Sequence, residues 1–209
     1  MGWKKDLPSP FKGFLESLKR FRRFLEVAEA GEIARRYFVM NAFDGALTVL
    51  GIILGAYVAG VRSANIILSA VLGAALAMGL SGLWGAYMAE RAERLRKLRE
   101  LEAALFTNLR NTRIYRASLA TMVWLAIVDG VSPVAVALIS VSPFILMGAG
   151  LCSFTTAIYA SITITILVLF MLGIFLGRIS RENMLLNGLQ MVSAGILIAA
   201  ILLVAESFL

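Results

Sequence analysis

Apolar residues gather into five long runs along the chain, at about 37–60, 64–89, 117–146, 151–177 and 184–205. Nearly all of the charged residues lie before or between them. Each run has at least 20 residues, enough to cross a hydrocarbon core about 30 Å thick as a helix. A helix satisfies its own backbone hydrogen bonds in lipid, which an open strand does not. The pattern therefore predicts an all-α membrane protein with five transmembrane helices. A different periodicity precedes them. Within 9–30, Phe11, Phe14, Leu15, Leu18, Phe21, Phe24 and Leu25 fall on one helical face, while Lys12, Lys19, Arg20, Arg22 and Arg23 lie largely off it. Ser9 and Pro10 suit an N-cap and a first-turn proline. This stretch reads as a basic amphipathic helix lying in the membrane interface. The chain divides into a cytoplasmic amphipathic segment (1–36), spans one and two (37–89), a charged cytoplasmic helix (90–116) and spans three to five (117–209).

Composition agrees with a lipid environment: 60% of the 209 residues are hydrophobic and the mean hydropathy is +0.85, whereas soluble domains run at about 45–50% apolar. The net charge of +7 reads as topology rather than nucleic-acid binding. Residues 1–37 hold nine Lys or Arg and 90–116 hold eight, and Arg178 and Arg181 separate spans four and five; only Arg62 falls on the other side. The positive-inside rule then puts the N-terminus in the cytoplasm and the C-terminus outside. The expectation is an integral multi-pass protein of the cell membrane. The first apolar run starts too late and is too long to be a cleavable signal.

Cys152 is the only cysteine and histidine is absent. No intrachain disulfide can form, and the commonest zinc and copper ligand is missing. With no histidine, no cysteine pair and no clustered acid motif, neither an enzyme nor a bound cofactor is expected.

Asp44 and Asp129 are the only Asp, Glu, Lys or Arg residues inside the five runs. An aspartate at a helix centre costs about 2.5–3.5 kcal/mol on insertion scales, and such acids commonly mark ion paths. Asp44 lies seven residues past Tyr37, about 10 Å into the span. It could stay protonated, bind a mobile cation, or alternate between the two; the plainer reading is a neutral aspartate in an interhelical hydrogen bond. Asn41 and Thr48 lie one turn either side of Asp44, and Met78 or Met88 could add a softer donor. Oxygen donors of this kind suit hard or borderline divalent ions such as Mn2+ or Fe2+. Glu90 and Glu93, at the charged end of span two, could draw cations inward or simply pair with Arg94 and Lys97.

Two other features bear on packing. Gly51 and Gly55, then Gly73, Gly79, Gly82 and Gly85, give spans one and two small faces that permit close helix approach. Span three carries Pro133 and Pro143, which remove the hydrogen bonds to the carbonyls of Asp129 and Ile139; a kink or break is expected there. "FDGALT" (43–48) and "VDGVSP" (128–133) share an apolar-Asp-Gly echo.

"DGALTVLGIILG" (44–55) resembles the first span of the vacuolar iron transporter family, through Asp44-Gly45, Thr48, Gly51 and Gly55. "SGLWGAYMAERAE" (81–93) is similar to the end of that family's second span at Ser81, Gly85 and Tyr87, and "GRISRENMLLNGLQMVSAGI" (177–196) also fits. The resemblance implies a homodimeric, proton-coupled exporter of Fe2+ or Mn2+ from the cytosol, the ion being substrate rather than cofactor. The path would run between two copies of span one, with Asp44 as the family's buried aspartate. The family's pathway methionine and glutamate fall here at Gly82 and Ala86, its long Glu-rich cytoplasmic insert is short, and Asp129 lies outside its usual pattern. The candidate metal-site residues are thus Asp44, Thr48, Asp129, Glu90 and Glu93. The alternative expectation is a non-transporting membrane assembly or regulatory subunit whose polar residues serve packing.

Overall fold

The computed structural model describes residues 30–110 and 112–206. The amphipathic helix expected over 9–30 falls almost wholly outside the described residues. The described residues form five α-helices: α1 (Ala30–Val58), α2 (Ala64–Leu105), α3 (Arg113–Gly148), α4 (Phe154–Ser180) and α5 (Met184–Glu206). Each is long and apolar enough to cross a membrane. The charged stretch after span two continues α2 without a break to Leu105, since it holds no glycine or proline. The helix ends where Phe106 turns into the left-handed region at φ 49°.

The connections are capped in ways the sequence supplies. Thr112 accepts a hydrogen bond from the Tyr115 amide at the start of α3 (3.3 Å) and Ser153 from the Thr156 amide at the start of α4 (3.2 Å). Asn183 Oδ1 accepts from the amides of Leu185 and Leu186 at the start of α5. The Glu102 carboxylate accepts from the Leu109 amide (2.8 Å), which ties the loop after α2 back to its helix.

Helix α1 touches all four other helices, and α3 packs against α1, α2 and α4. These two therefore hold most of the core. Val49, Ile53, Val71, Val141, Phe144 and Ile158 fill one half of the bundle; Ala42, Ala46, Leu50, Val136, Leu169 and Leu172 fill the other. Leu76, Leu80, Trp84 and Leu203 stand on the outside, more than half exposed, as expected of surfaces that meet lipid rather than water.

Close backbone contacts set the crossings. A β-carbon at Gly45 would lie 2.8 Å from Pro133 Cα, and one at Gly79 would lie 2.9 Å from the Gly130 carbonyl oxygen. Between α4 and α5, a β-carbon at Gly173 would run into the Asn187 carbonyl oxygen. Only glycine fits these approaches.

The break expected in span three does not occur. α3 runs unbroken through both prolines. The Ser142 hydroxyl donates to the Ile139 carbonyl that Pro143 leaves unpaired (2.7 Å). The Ser132 hydroxyl donates to the Val128 carbonyl. The serine before Pro143 thus replaces the lost bond, whereas the serine before Pro133 bonds Val128 and not the Asp129 carbonyl that this proline frees.

Candidate functional site

Tyr37, Asn41, Asp44 and Thr48 follow one another at spacings of four, three and four, which puts them on one face of α1. Over about 16 Å of helix this stripe meets polar partners on α2 and α3. The Tyr37 hydroxyl donates to Glu90 Oε1 on α2 (3.3 Å). Asn41 Nδ2 donates to Asp129 Oδ1 on α3, and its amide group also reaches the Tyr37 carbonyl (3.2 Å). The Thr48 hydroxyl points at the Met78 sulfur on α2 (3.4 Å). The antiparallel run of α1 and α2 explains the order: moving from Tyr37 to Thr48 on one helix moves from Glu90 to Met78 on the other.

Of the two carboxylates expected to lie buried in the spans, only Asp129 is enclosed, at 5% exposed. Asp44 is exposed on the surface of the fold. The reason is the rotation of α1. Gly45 sits against Pro133, and Ala42 and Ala46 point into the core, so the position before Gly45 turns outward at the edge of the α1–α3 crossing. Asp44 still lies close enough to Asp129 for their charges to interact. No described residue donates a hydrogen bond to Asp44 or pairs with it. The two Asp-Gly echoes of the sequence thus meet at one crossing.

Glu90 and Glu93 stand apart from these acids, at the end of the bundle where Arg36 and Arg94 gather. Glu90 is nearly enclosed and ion-paired with Arg94 (3.0 Å), their side chains 11% and 14% exposed. Glu93 is half-exposed and paired with Arg96 and Lys97, each at 3.2 Å. The hydrogen bond from Lys97, helped by the charge of Arg96, holds the Glu93 carboxyl below the usual carboxylate range. Both line a cavity of about 340 Å3 with Glu32, Arg36, Arg94 and Lys97, where three acids face three cations. The structure therefore brings Asp44, Thr48 and Asp129 to one stripe, which reaches Glu90 through Tyr37 and leaves Glu93 beside cations of its own helix.

Chemically, the stripe offers two carboxylates, an amide, a hydroxyl and a thioether. Among the described residues, no three or more of His, Cys, Asp and Glu gather where they could hold a metal. Any cation held here would take neutral donors from Asn41, Thr48 and Met78 beside the two acids. Such a set suits a divalent ion of hard to borderline character.

The chain is 35% identical over 179 residues to "Uncharacterized protein MJ0645" of Methanocaldococcus jannaschii, across 84% of this chain and 90% of the relative. It belongs to the same family as that archaeal protein. No protein-family model and no solved structure matches the chain. The name of the MJ0645 relative assigns no activity to the family, so the chemistry of the stripe is what speaks to function.

Sequence reasoning did not place Tyr37 in the site, and it read Gly82 as part of a small-residue face. Tyr37 extends the stripe by one turn and binds Glu90; its place at i−4 from Asn41 is the signal that shows it. Gly82 lies against Asp129, where a β-carbon would stand 2.9 Å from Oδ2 and 3.3 Å from the carbonyl oxygen. Its contact across helices leaves no trace in local spacing.

Proposed function

We propose that the protein is a secondary transporter of divalent metal cations, Fe2+ or Mn2+, exchanging them for protons and exporting them from the cytosol. The observation that carries this reading is the meeting of Asp44 and Asp129 on one stripe, beside the donors of Asn41, Thr48 and Met78. No Lys or Arg lies within the spans to neutralise them, and an ionised carboxylate away from water needs a counter-charge or a proton. A divalent cation balances two carboxylates, and two protons do the same when it leaves. The donor types, with a thioether among oxygens, fit a borderline ion better than Mg2+ or Ca2+.

The likeness of residues 44–55 to the vacuolar iron transporters supports the same reading, and with it a homodimer. An exposed acid on a spanning helix is costly against lipid; a second α1 laid against this face would cover Asp44 and place two stripes around one path. The N-in, C-out orientation follows from the distribution of Lys and Arg. Glu90 and Glu93 then stand at the cytosolic mouth.

The test is metal-dependent proton flux in proteoliposomes with an internal pH dye. Asp44→Asn abolishes flux while the protein remains folded by gel filtration and thermal unfolding. Undiminished flux in that variant ends the proposal. The alternative, a non-transporting assembly or regulatory subunit, draws on the Asn41–Asp129 hydrogen bond, which by itself satisfies one acid as packing would. Under it, neither metal binding nor flux is measurable in the wild-type chain.

A further inference from the structure

We infer that a groove at the basic end of the bundle, between α1, α4 and α5, binds one anionic phospholipid. The groove encloses about 470 Å3 and has two chemically distinct parts. Arg35, Arg36 and Glu32 form its mouth. Val39 and Phe43 of α1, Leu176 of α4 and Met191 of α5 line its depth. From Arg36 to Phe43 is about 10 Å along α1, so guanidinium groups at headgroup level stand above an apolar slot at acyl-chain level.

The charge at the mouth selects the occupant. Glu32 reaches Arg35 only at 4.0 Å, with both side chains well exposed, and pairs of that kind are weak. Arg36 makes no ion pair among the described residues and lies over the Tyr37 ring at 5.9 Å. Among the described residues that line it, one acid and two arginines give the mouth a net positive charge. Arg178 and Arg181 at the neighbouring end of α4 add to the positive field, which Glu182 offsets in part. A headgroup of net negative charge complements this mouth, and its acyl chain fills the slot below. The preceding segment of the chain is the wrong partner: residues 1–29 carry seven Lys or Arg against four acids, the same sign as the mouth. A free anion would leave the apolar slot unfilled.

The experiment is native mass spectrometry of the full chain from mild detergent, titrated with phosphatidylglycerol or phosphatidylcholine. One phosphatidylglycerol is expected to remain bound in preference to phosphatidylcholine. The double variant Arg35→Gln/Arg36→Gln should bind phosphatidylglycerol about thirtyfold more weakly, equivalent to about 1 kcal/mol for each arginine near an anionic surface. Its phosphatidylcholine binding should be unchanged. Arg62→Gln, at the opposite end, should keep the preference. Met40 also lines the groove, and Met40→Trp, which narrows the slot, should weaken both lipids. Equal binding of the two lipids by the wild type, or an undiminished preference in the double variant, overturns the proposal. So does displacement of the lipid by excess inorganic phosphate, which would mark a plain anion site.

Discussion

Gly82 of α2 gives up its side chain to Asp129 of α3. A β-carbon at position 82 would stand 2.9 Å from the Asp129 carboxylate, closer than any settled carbon–oxygen contact. The residue that resembles a lost pathway position in the sequence is, in three dimensions, the space that lets a second acid enter the bundle. Asp129 occupies that space and turns its other oxygen to Asn41. The carboxylate on α3 and the bare backbone on α2 are two halves of one feature.

Gly82→Ala should therefore destabilise the protein by about 1–3 kcal/mol, the usual cost of forcing extra carbon into a closed contact. Gly85, one turn away, has nothing within 4 Å of its would-be β-carbon. Gly85→Ala should be neutral or stabilise by up to about 1 kcal/mol through helix propensity. Thermal unfolding in detergent separates the two. Equal effects at both positions would mean that the Gly82 contact is loose enough to relax.

Much of this architecture is legible in the sequence, and the rest is hidden for a definite reason. Five apolar runs announce five helices because lipid allows little else. The rarity of charge inside those runs singles out Asp44 and Asp129. What sequence spacing does not encode is the rotation of one helix against another. Gly45 and Pro133 fix that rotation by their contact, and it turns Asp44 outward while Asp129 is enclosed. The prolines mislead for a related reason. Pro133 and Pro143 suggest a kinked or broken helix, yet α3 continues through both, and at Pro143 the preceding serine supplies the missing donor. The repeat "VSP" at 131–133 and 141–143 is visible in the chain, but its meaning depends on where each hydroxyl points.

That role of serine makes its own prediction. Ser142 donates to the Ile139 carbonyl on a face that is more than half exposed at Ile139, where lipid offers no replacement donor. Ser142→Ala should cost about 1–3 kcal/mol, the penalty of an unsatisfied polar group. Adding Pro143→Ala restores a backbone N–H to pair with Ile139, so the double variant should recover most of the loss. A double-mutant cycle by thermal unfolding reads the coupling directly. No coupling would mean that the carbonyl is satisfied in another way.

The two glutamates at the basic end should behave differently. Glu90 is shared between Tyr37 and Arg94 with little exposure, so Glu90→Gln leaves a half-buried guanidinium short of its counter-charge and should cost about 1–3 kcal/mol. Glu93 is half-exposed, far more open than Glu90, and its neutralisation should matter far less. Its folded-state carboxyl is held below the ordinary range by Lys97 and Arg96. Any stability from this group is therefore present above the unfolded pKa and lost as pH falls through the lowered folded value. Thermal unfolding of wild type and Glu93→Gln should coincide at low pH and separate slightly, in favour of wild type, as pH rises toward neutrality. A gap that widened on acidification would contradict the pairing seen here.

Met78 offers the sharpest distinction between a cargo site and ordinary packing. Its sulfur lies 3.4 Å from the Thr48 hydroxyl, one turn beyond Asp44 on the same stripe. Methionine in a helix bundle commonly does no more than fill space. A thioether, however, favours borderline ions over hard ones, and Met→Leu keeps the volume while removing the sulfur. Under the transport reading, Met78→Leu should lower Fe2+ uptake severalfold relative to Mn2+, with thermal stability shifting by less than about 1.5 kcal/mol. Competition between the two ions in proteoliposomes, under anaerobic conditions, measures that ratio without depending on how much protein is inserted. A ratio that stays at the wild-type value would place the sulfur outside the ion's path and leave the carboxylates to discriminate alone.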